Sequence, residues 1–283
     1  MRARAPGSSA NLGPGFDVLA VALAIYAEVE VVSAPELSVT TVGEGSNLAQ
    51  DGTHLAARVA AAVVGHDRLA ISVKSEIPLA RGLGSSAAVA VAAAAAAGST
   101  DPLKVAAGFE GHGENAAASV NGGLVAATML GAGPLARPLV LDPGITFVVL
   151  VPDRLLKTAE ARRALGPTVA RSDAVHNLGR MGLLLAGLAD RKLLVAEATA
   201  DRLHQAERTP LFPEAPELLE ALVRGGAVAS CWSGAGSSLL GICDGDDAAA
   251  RVRDEGEKAM AAAGVEGRAI VLAPDLGGVV VTG

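Results

Sequence analysis

Residues 77–98 read IPLARGLGSSAAVAVAAAAAAG, a glycine-rich loop that runs directly into a block of almost pure alanine. Gly82 and Gly84 carry no Cβ, so the backbone there can approach a ligand closely. Ser85 and Ser86 fall on the first turn of a predicted helix, where unpaired N–H groups attract anions. Taken alone, the stretch allows three interpretations: low-complexity filler, a core helix capped by its serines, or a cradle for phosphate.

Two familiar nucleotide motifs do not fit this context. Gly82, Gly84 and Ala87 match the dinucleotide pattern GxGxxA, but that fingerprint needs a second strand and an acidic residue roughly 20 positions on. Asp101 stands at such a distance, yet it follows an unbroken predicted helix, and Pro78 separates the loop from the strand before it. A Walker A loop requires a lysine, which this loop lacks. The physics that both motifs share, a helix N-terminus behind glycines, remains.

A phosphate site without lysine needs another positive charge, and magnesium held by a carboxylate is the usual source. Glu110, in FEGHGEN at 109–115, lies one predicted helix after the alanine block. If that helix packs antiparallel to the alanine helix, Glu110 returns to the loop. A glutamate in this position is also typical of a solvated helix end, so the residue pattern leaves both interpretations open.

Bulk composition excludes several classes of protein. Of the 283 residues 51% are apolar and only 2% are aromatic, which predicts a core of small side chains. The net charge is −7 and no cluster of Lys or Arg is present, so we expect no nucleic-acid partner. Cys231 and Cys243 fit neither a disulfide framework nor a metal cluster. The apolar runs 18–25 and 87–97 are too short for a bilayer and no signal-peptide pattern is evident, so we expect a soluble cytoplasmic protein without a membrane partner.

Hydrophobic periodicity predicts a mixed α+β chain. Strands are predicted at 26–33, 69–75, 124–129, 146–151 and 268–272, with 36–42 forming a hairpin on the first strand and two more strands around a glycine turn in 227–243. Helices are predicted at 53–64 with Thr53 as the cap, from 85 to the stop at Gly98, and at 102–110, 158–165, 173–188, 193–203, 217–224 and 246–263. The composition shifts toward glycine, proline and arginine around 131–142, which indicates the approach to a domain boundary.

Three glycine-bearing segments resemble, in order and spacing, the motifs of the GHMP kinases, which phosphorylate galactose, homoserine, mevalonate and phosphomevalonate. They are PGSSANLGPGFD at 6–17, IPLARGLGSSAA at 77–88 and SGAGSS at 233–238. Two further segments, EGHGENAAASVNGGLV at 110–125 and DRLHQAERTPLFP at 201–213, are similar to the homoserine kinases within that superfamily. The resemblance runs from about residue 3 to residue 245.

The resemblance implies a two-domain α+β fold with an active site between the domains. An N-terminal domain like domain 2 of ribosomal protein S5 would span 1–142 and bind ATP, and a ferredoxin-like domain would span 143–283. The implied reaction transfers the γ-phosphoryl group of ATP, with Mg²⁺, to the side-chain hydroxyl of L-homoserine on the way to threonine. Family members are commonly homodimers, so a homodimer is expected.

The resemblance also implies roles for individual residues on the ATP side. The predicted ATP-binding set is Pro78, Ala80, Arg81, Gly82, Leu83, Gly84, Ser85, Ser86, Gly234 and Gly236. Ser86 and Glu110 would hold Mg²⁺.

On the acceptor side, Asp17 would pair with the ammonium of homoserine, and Arg162 and Arg208 with its carboxylate. Asn11 and Asn115 would hydrogen-bond the amino acid and orient its hydroxyl. Thr158, one helical turn before Arg162, and Glu114 would complete the catalytic group of Asn115, Thr158, Arg162 and Glu114. Without the motif context, Asn11 would be an ordinary turn residue and the two arginines surface charges.

Two positions depart from the family pattern. Glu114 stands where the family usually has aspartate, and we expect it to support the pocket without acting as a base. Ser237 and Ser238 stand where the third motif usually continues with proline and threonine. The acceptor could also be another small alcohol such as mevalonate or shikimate, although Asp17 would repel an acceptor that has a carboxylate and no ammonium. A non-catalytic protein that binds a nucleotide or an amino acid is the alternative from another class.

Overall fold

A computed structural model describes residues 1–283 as two β-sheets covered by helices. The strands are β1 (Arg2–Ala10), β2 (Leu19–Ser33), β3 (Ser38–Gly43), β4 (Leu69–Ser75), β5 (Leu124–Leu130), β6 (Gly133–Leu139), β7 (Ile145–Pro152), β8 (Ala229–Trp232), β9 (Leu239–Asp244), β10 (Gly267–Leu272) and β11 (Val280–Thr282). The helices are α1 (Leu55–Val64), α2 (Ser85–Ala96), α3 (Pro102–Glu110), α4 (Glu114–Asn121), α5 (Thr158–Arg163), α6 (Arg171–Ala189), α7 (Gln205–Arg208), α8 (Ala215–Gly225) and α9 (Asp246–Ala262). The predicted α+β class is confirmed.

The first sheet has seven strands in the order β11-β1-β2-β4-β3, with β5 paired to the start of β2 and β6 paired to β5. The second sheet has the order β10-β7-β9-β8 and is antiparallel throughout. Helices α1 to α4 cover the first sheet, and α8 and α9 cover the second. The division at residue 142 stays a prediction. β11 pairs with the start of β1, so the last strand of the chain belongs to the first sheet.

The alanine block forms helix α2 at the centre of the first layer. Eleven of its twelve residues are buried, and it contacts β1, β2, α1, α3 and α4. A helix that is apolar on every side is stable only where neighbours surround it. Alanine is small enough to let five elements pack close to one helix axis, so the filler interpretation is wrong.

Two predicted elements differ in the structure. Segment 36–42 does not form a hairpin with β2; β3 pairs in parallel with β4 instead. β4 buries four of its seven residues, whereas β3 buries only Val39, so the more apolar strand takes the central place beside β2. Segment 193–203 forms no α-helix: it follows a short 3₁₀ turn, Arg191–Leu193, and contains a second, Ala196–Thr199. The Asp201 carboxylate instead caps the N–H groups that begin α7.

One smaller expectation is also corrected. The cap of α1 is His54, whose Nδ1 accepts from Ala56 N at 3.2 Å. Thr53 is unavailable as a cap because its hydroxyl donates to Asp51 at 2.6 Å. The segment at 131–142, predicted as the approach to a domain boundary, contains the edge strand β6, where proline and charge are tolerated because one side of the strand has no partner.

Candidate active site

A cleft where the two sheets meet contains a cavity of about 120 Å³ lined by segments from both. The sequence-predicted residues that line it are Asn11, Asp17, Pro78, Ala80, Arg81, Gly82, Leu83, Gly84, Ser85, Ser86, Glu110, Glu114, Asn115, Thr158, Arg162, Arg208 and Gly234. Of the predicted set only Gly236 lies outside, packed against the ring of Trp232. The cavity therefore joins the predicted phosphate and acceptor regions in one site.

The glycines of the phosphate loop are required by their backbone and by their neighbours. Gly82 and Gly84 have φ angles of +73° and +65°, the left-handed region that favours glycine. A Cβ on Gly82 would overlap the carbonyl of Ser233, and a Cβ on Gly84 would overlap the hydroxyl of Ser8. The loop thus packs directly on the first and third glycine-bearing segments, which hold its shape.

The serines after the loop do not cap α2. Gly84 is the N-cap residue and makes no side-chain cap, while the buried hydroxyl of Ser85 has no hydrogen-bond partner. The N–H groups of the first turn are therefore not satisfied by a capping side chain. This excludes the capping interpretation and leaves a helix N-terminus able to bind an anion.

Helix α3 packs against α2 and ends at Glu110 beside the loop, as the predicted return requires. The hydroxyl of Ser86 donates to the carboxylate of Glu110. One hydroxyl and one carboxylate could supply two protein oxygens to a Mg²⁺ ion whose other ligands are phosphate oxygens and water. No group of three or more His, Cys, Asp or Glu side chains is placed to hold a metal ion.

Asp17 and Arg162 form a two-pronged ion pair at the mouth of the cleft. The guanidinium donates to the two carboxylate oxygens at 2.7 and 2.9 Å, and each side chain is a little over a third exposed. The hydrogen bonds to Asp17 raise the pKa of Arg162. Two residues predicted to hold opposite ends of one ligand thus hold each other in this structure.

Arg208 is a buried cation with no carboxylate within ion-pair distance. Its residue is 2% exposed, and burial lowers its pKa to about 10. Nη1 donates to Gly234 O at 2.9 Å and to His204 Nδ1 at 3.0 Å, while Nε has no partner. A buried charge is costly unless it is paired, so an arginine in this state is suited to an anionic ligand.

The two asparagines differ. Asn11 uses both ends of its amide inside the protein, because Nδ2 donates to Gly234 O at 2.8 Å and Oδ1 accepts from Asp17 N at 3.0 Å. Its φ of +73° identifies it as a turn residue that shapes the first glycine loop. Asn115 accepts from the Ser8 hydroxyl at 2.9 Å, which fixes its amide and directs Nδ2 away from Ser8.

Glu114 is 3% exposed and lies at the start of α4. His112 Nδ1 lies 3.1 Å from Glu114 Oε1, although the ring is not aligned for a regular hydrogen bond. The neighbouring carboxylate of Glu114 raises the pKa of His112. Glu114 therefore faces His112 in the pocket wall and favours the protonated form of that ring.

A second cavity of about 320 Å³ adjoins the phosphate loop and shares Ala80, Ser85 and Ser86 with the cleft. Its remaining lining is mostly apolar or weakly polar: Thr41, Glu44, Leu48, Ala49, Thr53, His54, Leu55, Val73, Ser75, Leu79 and Val89. A concave, mostly apolar pocket of this kind suits a flat heteroaromatic ring.

Sequence reasoning assigned no role to Ser8, His112 or His204, although each lies inside or beside a segment quoted for the resemblance. Their side chains contact Asn115, Glu114 and Arg208 respectively. The sequence could have singled them out as polar residues inside a motif. It could not have predicted their partners, because a partner can lie far along the chain, as Asn115 lies 107 positions from Ser8.

A glycine loop at a helix N-terminus with a carboxylate beside it, in a cleft between two α/β layers, suits an enzyme that transfers a phosphoryl group to a small molecule. Residues 49–131 match the model described as GHMP kinases N terminal domain, and residues 176–262 match GHMP kinases C terminal. Homoserine kinase from Thermus thermophilus is 40% identical over 279 residues, which cover 94% of this chain and 94% of that protein. Homoserine kinase from Moorella thermoacetica is 37% identical over 257 residues, which cover 86% and 87%. The chain belongs to the homoserine kinase family.

Solved structures agree on the fold. The crystal structure of homoserine kinase from Cytophaga hutchinsonii matches with a TM-score of 0.87 at 24% identity, covering 100% of this chain and 97% of that chain. Mevalonate kinase from L. major matches with a TM-score of 0.69 at 15% identity, over 95% of each chain. The expected two-domain GHMP kinase fold is confirmed, and the fold alone does not select the acceptor. None of the helices has the length and apolar character needed to cross a membrane.

Proposed function

We propose that the protein transfers the γ-phosphoryl group of ATP to the side-chain hydroxyl of L-homoserine, giving O-phospho-L-homoserine and ADP. The observation that carries this proposal is the meeting of a phosphate loop with a buried, unpaired Arg208 and the Asp17–Arg162 pair in one cavity. The phosphate half of the cavity, around Gly82–Ser86, suits phosphate. The acceptor half, around Asp17, Arg162 and Arg208, suits a small molecule that carries both a positive and a negative charge.

The nucleotide is assigned to the loop side of the cleft. Its phosphates lie on Gly82–Ser86 at the N-terminus of α2, and its base and ribose enter the second cavity. We assign Arg81 a supporting role without direct contact to phosphate. Its Nε donates to Pro152 O at 2.7 Å and holds the loop on the second sheet. Gly234 supports Arg208 and Asn11 through its carbonyl, and we assign it to the acceptor half.

Ser86 and Glu110 would hold Mg²⁺ together with phosphate oxygens. When bound, the ion offsets the negative charge of the triphosphate. The donor set fits an ion that arrives with the nucleotide, since it offers two protein oxygens.

The acceptor is assigned to the acceptor half. Its binding replaces the Asp17–Arg162 ion pair with one ion pair at each end of the ligand. The homoserine ammonium takes the Asp17 carboxylate, and the homoserine carboxylate takes Arg162 and Arg208. A zwitterion leaves each of these charges paired, whereas an acceptor with a carboxylate alone leaves Asp17 without a partner. This is the reason for preferring homoserine over mevalonate or shikimate as the acceptor.

In the transfer, the homoserine hydroxyl oxygen forms a bond to the γ-phosphorus while the bond to the bridging oxygen breaks and ADP leaves. The hydroxyl proton passes to an oxygen of the transferred group. Asn115 and Thr158 orient the hydroxyl, and Glu114 stays paired with His112 without acting as a base. Positioning and charge stabilisation supply most of the acceleration in phosphoryl transfer, so a dedicated base is not required.

We further propose a homodimer and a cytoplasmic location. The outward face of α6 supports the dimer, because Val175, Leu178 and Leu183 are exposed there and glycines at 179 and 182 leave open space between them. ATP as substrate and two unpaired cysteines support the location. Sedimentation of the wild type against Leu178→Asp tests the dimer: the wild type should sediment as two copies and the variant as one.

Coupled ADP release with Mg-ATP tests the activity against homoserine, mevalonate, shikimate and no acceptor. Turnover confined to homoserine is expected. Turnover with another acceptor would overturn the acceptor assignment and keep the phosphate site. No turnover from folded protein that binds ATP would favour the non-catalytic alternative.

A further inference from the structure

His204 lies at the junction of three segments that build the acceptor half of the cleft. It is 1% exposed, and its ring stacks on Phe16 with centroids 5.0 Å apart. Nε2 lies 2.9 Å from Gly13 O in the first glycine loop, and Nδ1 lies 3.0 Å from Arg208 Nη1. The ring therefore connects the first glycine loop to the buried arginine.

These contacts determine which ring nitrogen carries the proton. Nε2 faces acceptors, Gly13 O at 2.9 Å and the Asp201 carboxylate at 3.7 Å, so it must donate. Nδ1 faces a guanidinium N–H, which can only donate, so Nδ1 must accept. Burial lowers the pKa of His204 to about 4, which keeps the ring in this neutral form at neutral pH.

The hydrogen bond that His204 Nδ1 accepts helps to orient Arg208. Nη1 is held by two acceptors, His204 Nδ1 and Gly234 O, which fix the plane of the guanidinium over Phe16. Nη2 makes no hydrogen bond within the protein and remains for an anion in the cavity. A guanidinium binds a carboxylate well only when its plane is fixed.

We propose that His204 is a positioning residue for acceptor binding: as a neutral imidazole that donates from Nε2 to Gly13 and accepts at Nδ1 from Arg208, it aims Arg208 at the acceptor carboxylate. This inference rests on the proposed function, because it takes the anion at Arg208 to be the carboxylate of the amino acid. His204 itself does not contact the substrate.

Two conservative substitutions separate the two hydrogen bonds. His204→Asn places an amide oxygen near the position of Nδ1 and keeps an acceptor for Arg208, whereas His204→Gln reaches the position of Nε2 and keeps a donor for Gly13. We expect His204→Gln to raise the KM for homoserine by about ten- to a hundredfold, the range for a lost hydrogen bond to a charged group. His204→Asn should stay within about threefold of the wild type, and the KM for ATP should be unchanged in both.

Equal rises in the KM for homoserine in the two variants, or a parallel rise in the KM for ATP, would overturn the proposal, because a purely structural role predicts them. If neither variant folds, ¹⁵N NMR of the wild-type imidazole decides: protonated Nε2 with a bare Nδ1 between pH 6 and 8 supports the proposal, and the opposite tautomer overturns it. If the proposed function itself is wrong, the wild type will not turn over homoserine, which differs from every outcome expected of the His204 variants.

Discussion

The two halves of the cleft are built by different means. The phosphate half uses backbone: two glycines at positive φ, a helix N-terminus and small serines, all within residues 82–86. The acceptor half uses charged side chains from segments far apart, such as Asp17 and Arg162, which are 145 positions apart in the chain. Local backbone suits phosphate, a group that every nucleoside triphosphate carries. Charged side chains from distant segments can instead be specific for one acceptor.

The largest effect that sharpens this comparison is expected at Arg208. Arg208→Met should lower kcat/KM for homoserine by about a thousandfold, since removing one partner of a buried charge pair costs several kcal/mol. The dissociation constant for ATP, measured by calorimetry, should stay unchanged because the loop does not depend on this side chain. An equal loss of ATP affinity would contradict the separation of the two halves.

Arg162 should contribute less, because it is partly exposed and solvent screens its charge. Arg162→Met should raise the KM for homoserine by about tenfold. Arg163, its exposed neighbour on α5, provides the matched control, and Arg163→Met should leave the steady-state constants within about twofold. Similar effects from the two substitutions would show that long-range charge, and no direct contact, is responsible.

The buried His204 should make the folded protein less stable in acid. Burial lowers its pKa from 6.5 to about 4, so the unfolded chain binds a proton that the folded chain refuses. Its contribution to stability is complete above pH 6.5 and decreases as pH falls toward 4, which amounts to about 2 kcal/mol lost by pH 5. The charged groups that face the ring, Asp201, Arg208 and Asp17, remain in both proteins compared below.

Urea unfolding at pH 7 and pH 5 checks this prediction, with His204→Asn as the control that cannot titrate. The wild type should lose about 2 kcal/mol more than the variant between the two pH values. The lowered pKa of His54 and the raised pKa of His112 act equally on both proteins and cancel in the difference. Identical pH dependence would mean that His204 is accessible to protons in the folded state.

The smallest effect is expected at Glu114. Glu114→Gln should retain most of the turnover, because the carboxylate is paired with His112 and positioning, not proton abstraction, drives the transfer. A fall in kcat of more than about a hundredfold, the low end of general-base contributions, would instead identify Glu114 as the base.

The phosphate half was predictable from sequence for a physical reason. The glycines, the alanine block and the Asp101-Pro102 start of α3 specify local backbone, and α3 begins and ends where the pattern predicts. The family resemblance supplied the acceptor residues, and the structure brings them together.

What the sequence did not predict depends on distant partners. β1 has glycine, serines and proline among its nine residues, a poor strand pattern, and it forms because β2 pairs along its whole length. The Asp17–Arg162 pair and the burial of Arg208 also arise from contacts between the two layers, which no local pattern records.

Whether the acceptor half is built for a zwitterion can be tested by comparing homoserine with 4-hydroxybutyrate in the wild type and in Asp17→Asn. The two acceptors share a hydroxyl and a carboxylate and differ in the ammonium. We expect the wild type to prefer homoserine by about a hundredfold or more in kcat/KM, and Asp17→Asn to remove most of that preference. An unchanged preference in Asp17→Asn would contradict the assignment of Asp17 and with it the exchange of one ion pair for two.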